Sequence, residues 1–123
     1  MVWWIMAAGA LGSGARYLVG VWALERLGTA FPFGTLIVNV AGCFLLGAVV
    51  HLATASAWSP EWRGAVVVGL LGGFTTYSSF NQETLGLLST GATGTALVNI
   101  VFTLLAGLAA GWLGLVVARQ FVA

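Results

Sequence analysis

Residues 27–60 and 84–118 carry no charged side chain, and residues 64–82 form a third uncharged run. Crossing the hydrocarbon core of a bilayer takes roughly 20 apolar residues, so runs of this kind read as membrane spans. The chain of 123 residues has four Arg and three Glu, with no Lys and no Asp, against 60% hydrophobic side chains. That composition leaves too little polar surface to cover a water-soluble globule. With the charged residues as boundaries, the sequence predicts an all-α membrane protein, a single four-helix transmembrane domain over residues 1–123. The spans are expected at about 3–24, 33–55, 62–88 and 93–120.

The links between spans are short and hold Gly28, Pro32, Pro60 and the Ser-Thr-Gly-Ala-Thr-Gly stretch at 89–94. This is turn chemistry, and no catalytic ectodomain fits into it, so the chain is expected not to be an enzyme. A net charge of +1 offers no electrostatic footprint for nucleic acid. One Cys and one His cannot assemble a Cys-cluster or paired-imidazole metal centre. The first apolar run has no Lys or Arg before it and continues through Tyr17 to Leu24, which reads as a retained span rather than a secretion signal. Most of the six tryptophans fall near proposed span ends, where an indole sits among headgroups with its N–H wet.

Four spans place Arg63 and Arg119 opposite Arg26, a bias too small to fix orientation by the positive-inside rule. Such a chain is expected to insert both ways, so that two copies of opposite orientation pair about an axis in the membrane plane. Small residues recur on helix faces: Ala8, Gly12, Arg16 and Gly20 share one stripe, Gly69 pairs with Gly73, and Gly107 with Gly111. Close helix approach is the expected consequence, with Cys43 as one more small packing residue.

The third span contains Gly72-Gly73-Phe74-Thr75-Thr76-Tyr77-Ser78-Ser79-Phe80. Gly, Thr and Ser are poor helix formers or compete for backbone hydrogen bonds, so the helix is expected to break here. Non-helical backbone at membrane depth must be satisfied by protein or water. Carbonyls freed from Gly72 to Thr75 need a donor or a cation, and oxygen-only coordination suits Na⁺ better than a transition metal. A plain flexible hinge is the other reading. Phe74, Tyr77 and Phe80 are either ordinary packing residues or rings that turn a positive edge to an anion, beside the hydroxyls of Thr75, Ser78 and Ser79.

Asn39 lies within span two, and Asn99 opens the stripe Asn99, Thr103, Gly107, Gly111 on one face of span four. Amides at membrane depth serve helix-to-helix hydrogen bonding or a permeation path. Two polar faces beside a broken helix favour the path. Arg16, deep in span one, either snorkels to headgroups or draws anions into a vestibule. Glu83 reads as solvated at the exit of span three or as coupled to protons, and His51 as interfacial.

Three segments together resemble the Fluc or CrcB family of small bacterial fluoride channels. They are Gly12-Ser13-Gly14-Ala15-Arg16-Tyr17, then Gly34-Thr35-Leu36-Ile37-Val38-Asn39-Val40-Ala41-Gly42, then Gly72 to Phe80 followed by Glu83-Thr84. Their order and spacing cover nearly the whole chain. The resemblance implies a dual-topology homodimer in the bacterial cytoplasmic membrane, with two fluoride pathways and a central structural Na⁺. By match to the family pattern, Gly72 and Thr75 would give carbonyls to Na⁺, and Asn39 would line the path. Tyr77 and Phe80 would meet fluoride edge-on, Ser79 and Thr103 would be hydroxyl donors, and Asn99 and Glu83 would lie toward the outer polar track. Tyr77 stands where the family usually has Phe, and Gly107 where some relatives place a hydroxyl.

The implied activity is passive export of cytoplasmic fluoride, which relieves its toxicity. A negative membrane potential drives an anion outward by about 2.3 kcal/mol per charge at 100 mV, and the chain has no phosphate-binding Gly-x-x-x-x-Gly-Lys motif. Two rivals remain open. A small dual-topology multidrug or cation exporter needs a membrane-embedded carboxylate, for which Glu83 is the only candidate. A non-transporting membrane assembly subunit would use Asn39 and Asn99 only as glue between helices.

Overall fold

The computed structural model describes residues 1–123, which form helices and no strand. Helix α1 (Val2–Leu27) stops at Gly28, whose φ of 79° lies in the left-handed region that glycine enters without steric penalty. Helix α2 (Phe33–Ala55) starts directly after Pro32. Ser59 caps α3 (Pro60–Arg63) by accepting from the Trp62 N–H at 3.3 Å, and Pro60 sits at the first helical position, where no N–H is missed. The helix then widens into a π-helical stretch, Gly64–Leu71, and returns to α geometry in the short α4 (Gly72–Phe74). After the break come α5 (Tyr77–Ser89) and α6 (Thr93–Arg119). Helices α2 and α6 are each long and apolar enough to cross a membrane.

The break is narrower than the sequence implies. Helix persists through Gly72, Gly73 and Phe74 and resumes at Tyr77, so only Thr75 and Thr76 leave it. Weak helix propensity is overridden wherever packing or a cap holds the backbone. The π-helical stretch Gly64–Leu71 had no sequence signal.

Packing runs in two pairs, α2 along α6 and α1 along the π-helical stretch and α4, with α5 resting on α6. Glycine makes both approaches close. A Cβ added at Gly47 would strike the Gly111 carbonyl, and one at Gly114 the Phe44 carbonyl. On the other pair, a Cβ at Gly73 would lie 2.6 Å from the Gly9 carbonyl oxygen, and one at Gly12 would strike the Leu70 carbonyl. Cys43 fits the same scheme, since its Sγ would be 3.5 Å from a Cβ at Gly107. Large apolar side chains point outward, with Trp3 75% and Leu108 73% exposed, a surface suited to hydrocarbon rather than water.

Candidate functional site

The site is built around the two residues that leave the helix. Thr75 (φ −81°, ψ 157°) and Thr76 (φ −152°, ψ 115°) are extended. Extended backbone takes the last carbonyls of α4 and the first amides of α5 out of the helical ladder, so each needs a partner from elsewhere. Asn39 supplies two. Its Nδ2 donates to the Thr76 carbonyl at 2.9 Å, and its Oδ1 accepts from the Thr76 N–H at 2.7 Å. The donor that the break required is therefore a side chain of α2, acting one residue beyond the expected carbonyls.

The Thr76 hydroxyl caps α5, accepting from the Ser79 N–H at 3.1 Å and donating to Ser79 Oγ at 3.1 Å. Because Ser79 Oγ accepts in that bond, its own hydroxyl proton remains available. Ser79 and Thr76 line a cavity of about 300 Å³ together with Arg16, Ser13 and Thr35. A second cavity, about 560 Å³, holds Glu83 and Thr90. Gly20, Gly34 and Thr35 border both cavities, so the one lined by Arg16 and Ser79 lies beside the one lined by Glu83. Thr35 Oγ1 donates to Glu83 Oε1 at 2.7 Å, while the buried Oε2 has no hydrogen-bond partner.

Asn99 and Thr103 stand apart from these cavities. Thr103 Oγ1 donates to Asn99 Oδ1 at 3.3 Å, Asn99 Nδ2 donates to Thr84 Oγ1 at 3.0 Å, and Thr84 Oγ1 donates to the Phe80 carbonyl at 2.7 Å. Asn99 is only 2% exposed, so its amide ties α6 to α5 within the protomer. Thr84 was absent from the expected site residues. Its sequence signals are its place in the family-like Glu83-Thr84 pair and a spacing of four from Phe80, which puts both on one helix face.

The rings of Tyr77 and Phe80 lie 5.8 Å apart between centroids and are tilted by 57°. Phe80 is buried, whereas Tyr77 is 78% exposed on the outer face of the protomer, next to the exposed Ser78. Gly72 is exposed and Thr75 half-buried at the C-terminal end of the passage from Pro60 to Phe74. A helix C-terminus favours a cation. Carbonyl oxygens with no carboxylate among them fit a monovalent ion, so these two residues suit the Na⁺ that the sequence suggested.

A family model described as CrcB-like protein, Camphor Resistance (CrcB), matches residues 3–115. The chain belongs to the CrcB family. Relatives named fluoride-specific ion channel FluC are similar to it over nearly their whole length. That of Acidobacterium capsulatum is 47% identical over 98% of this chain and 97% of its own. That of Sorangium cellulosum is 49% identical over 98% of this chain and 95% of its own. That of Shewanella amazonensis is 48% identical over 92% of this chain and 91% of its own. Within this CrcB chain, Arg16, Ser79 and Glu83 border adjacent cavities, Asn39 holds the break that they adjoin, and Phe80 is joined through Thr84 to Asn99.

Proposed function

We propose that the chain conducts fluoride passively across the bacterial cytoplasmic membrane, as a homodimer of two oppositely inserted copies, and so lowers cytoplasmic fluoride. The observation that carries this reading is a pair of adjacent cavities, one lined by Arg16 and Ser79 and the other by Glu83, with Thr35 on both, beside a broken helix in a chain whose outer surface is apolar. The relatives' printed names point to the same ion.

Fluoride is small and strongly hydrated, so a selective path must replace its water with closely spaced donors that a larger halide fits poorly. The residues divide that work. Arg16 raises the local anion concentration at the cavity mouth. Ser79 offers a hydroxyl proton, and the Asn39 amide retains one N–H beyond the bond it gives to Thr76. The broken helix adds fixed partial charge, with the N-terminus of α5 favouring an anion. Tyr77 and Phe80 present ring edges, which are positive.

The exposed Tyr77, Ser78 and Gly72 form the face on which a second copy completes each path. In that dimer the Gly72 and Thr75 carbonyls of both copies would hold Na⁺, which supplies a fixed positive charge that keeps the two breaks in register. Efflux from liposomes loaded with fluoride or with chloride tests the function. Rapid fluoride release with little chloride release is expected, and an inert protein or a proton-coupled uptake of organic cations would overturn it.

A further inference from the structure

We infer that Thr84 is a positioning residue, which sets the rotation of α5 and thereby the aim of the Phe80 ring through its hydrogen bond from Asn99. The inference rests on the fluoride-conducting reading above. It starts from the direction of the hydrogens. The proton of Thr103 points to Asn99 Oδ1, a proton of Asn99 Nδ2 to Thr84 Oγ1, and the proton of Thr84 to the Phe80 carbonyl. The chain of bonds runs one way, from α6 into α5, and ends on the backbone of Phe80, the residue whose ring the functional reading places at the ion.

Its three inner members are all buried, Asn99 at 2%, Thr84 at 7% and Phe80 at 9% exposure. Buried polar atoms away from water tolerate little loss of a partner. Phe80 and Thr84 are one turn apart on the same face, so any rotation of α5 that swings the Phe80 ring also pulls Thr84 Oγ1 away from Asn99. Helix α5 packs mainly on α6 and is tied to α2 through the Thr35–Glu83 bond, so the Asn99–Thr84 link is the polar anchor on its α6 side. A threonine that bonds back to the carbonyl four residues earlier also bends its helix slightly, and this one does so directly at Phe80.

The same geometry assigns Asn99 an indirect role. Its Oδ1 is taken by Thr103 and one Nδ2 proton by Thr84, and the residue is 2% exposed, so what it passes to α5 goes through the Thr84 bond.

The test uses single-channel fluoride currents of the assembled protein in planar bilayers, since current per channel does not change when fewer molecules fold. Thr84→Val keeps the side-chain shape and removes the hydroxyl, and is expected to lower the unitary current about fivefold, with Thr84→Ser within about twofold of wild type. Asn99→Leu breaks the same bond from the other helix and is expected to lower the current to a similar extent. Added to Thr84→Val, it should bring no further loss. Wild-type current in Thr84→Val, a current in Thr84→Ser as low as in Thr84→Val, or independent losses that multiply in the double variant would each overturn the inference. If either single variant yields no channels, the current of the other against wild type decides. A wild-type protein that passes no fluoride would instead overturn the functional reading.

Discussion

Asn39 and Thr76 form a closed pair of hydrogen bonds between α2 and the break, with the side-chain amide of one satisfying both the N–H and the carbonyl of the other at 2.7 and 2.9 Å. The backbone could not stay extended at this depth without such a partner. Asn39→Leu removes both bonds. It is expected to destabilise the protein by about 1–3 kcal/mol, the sum of two membrane hydrogen bonds, and to abolish fluoride efflux. Asn39→Asp keeps the acceptor but sets a carboxylate against the Thr76 carbonyl, so its loss of stability should be at least as large. Thermal unfolding in detergent, followed beside efflux, checks both.

The two rings are expected to respond differently. Phe80 is buried, and if its ring edge meets fluoride as proposed, Phe80→Ile keeps an apolar side chain, removes that edge, and should cut fluoride efflux by about tenfold or more. Tyr77→Phe keeps the ring edge and removes a hydroxyl for which the protomer provides no partner. Its efflux should stay within about threefold of wild type. A large loss in Tyr77→Phe would mean that the hydroxyl itself contacts the ion.

How far the sequence could be read depended on which force fixed each feature. Helix existence was legible, because charges at Arg26, Glu61, Arg63 and Arg119 cannot sit in hydrocarbon and so mark where helices end. The break was legible from Thr75 and Thr76, whose hydroxyls compete with the helical ladder. Its exact width was not, because helix continues through the Gly72-Gly73 pair, where Gly73 packs against Gly9 of α1. The partners of polar residues were hidden for the same reason. Asn39 and Asn99 look alike in the sequence, yet Asn39 holds the break while Asn99 binds Thr84, and only the packing of α2 and α6 separates them. The Thr35–Glu83 bond, 48 residues apart in the chain, left no local trace either.

Two nearby glycines give an internal control on that packing. A Cβ at Gly12 would strike the Leu70 carbonyl and lie 2.9 Å from the Phe74 nitrogen, whereas one at Gly14 meets nothing within 4 Å. Gly12→Ala is therefore expected to destabilise by about 1–3 kcal/mol and to slow efflux by displacing α4, the helix that ends at the break. Gly14→Ala, in the same helix, should gain slightly in stability through its higher helix propensity. Thermal unfolding of the two variants side by side checks the contrast.

The arginines give too small a bias to fix one orientation. With Cys43 replaced by Ser and a single cysteine placed at Gly91, in the loop between α5 and α6, a membrane-impermeant thiol reagent should label about half of the molecules in intact cells. Labelling of all or none would show a single orientation and remove the antiparallel dimer.

Fluoride-selective passive conduction is tested most directly by the reversal potential of the channel current, with fluoride on one side of a planar bilayer and an equal concentration of chloride on the other. A reversal displaced far from zero, in the direction set by fluoride permeation, is the expected result. A reversal at zero, with both halides carrying current equally, would contradict the account.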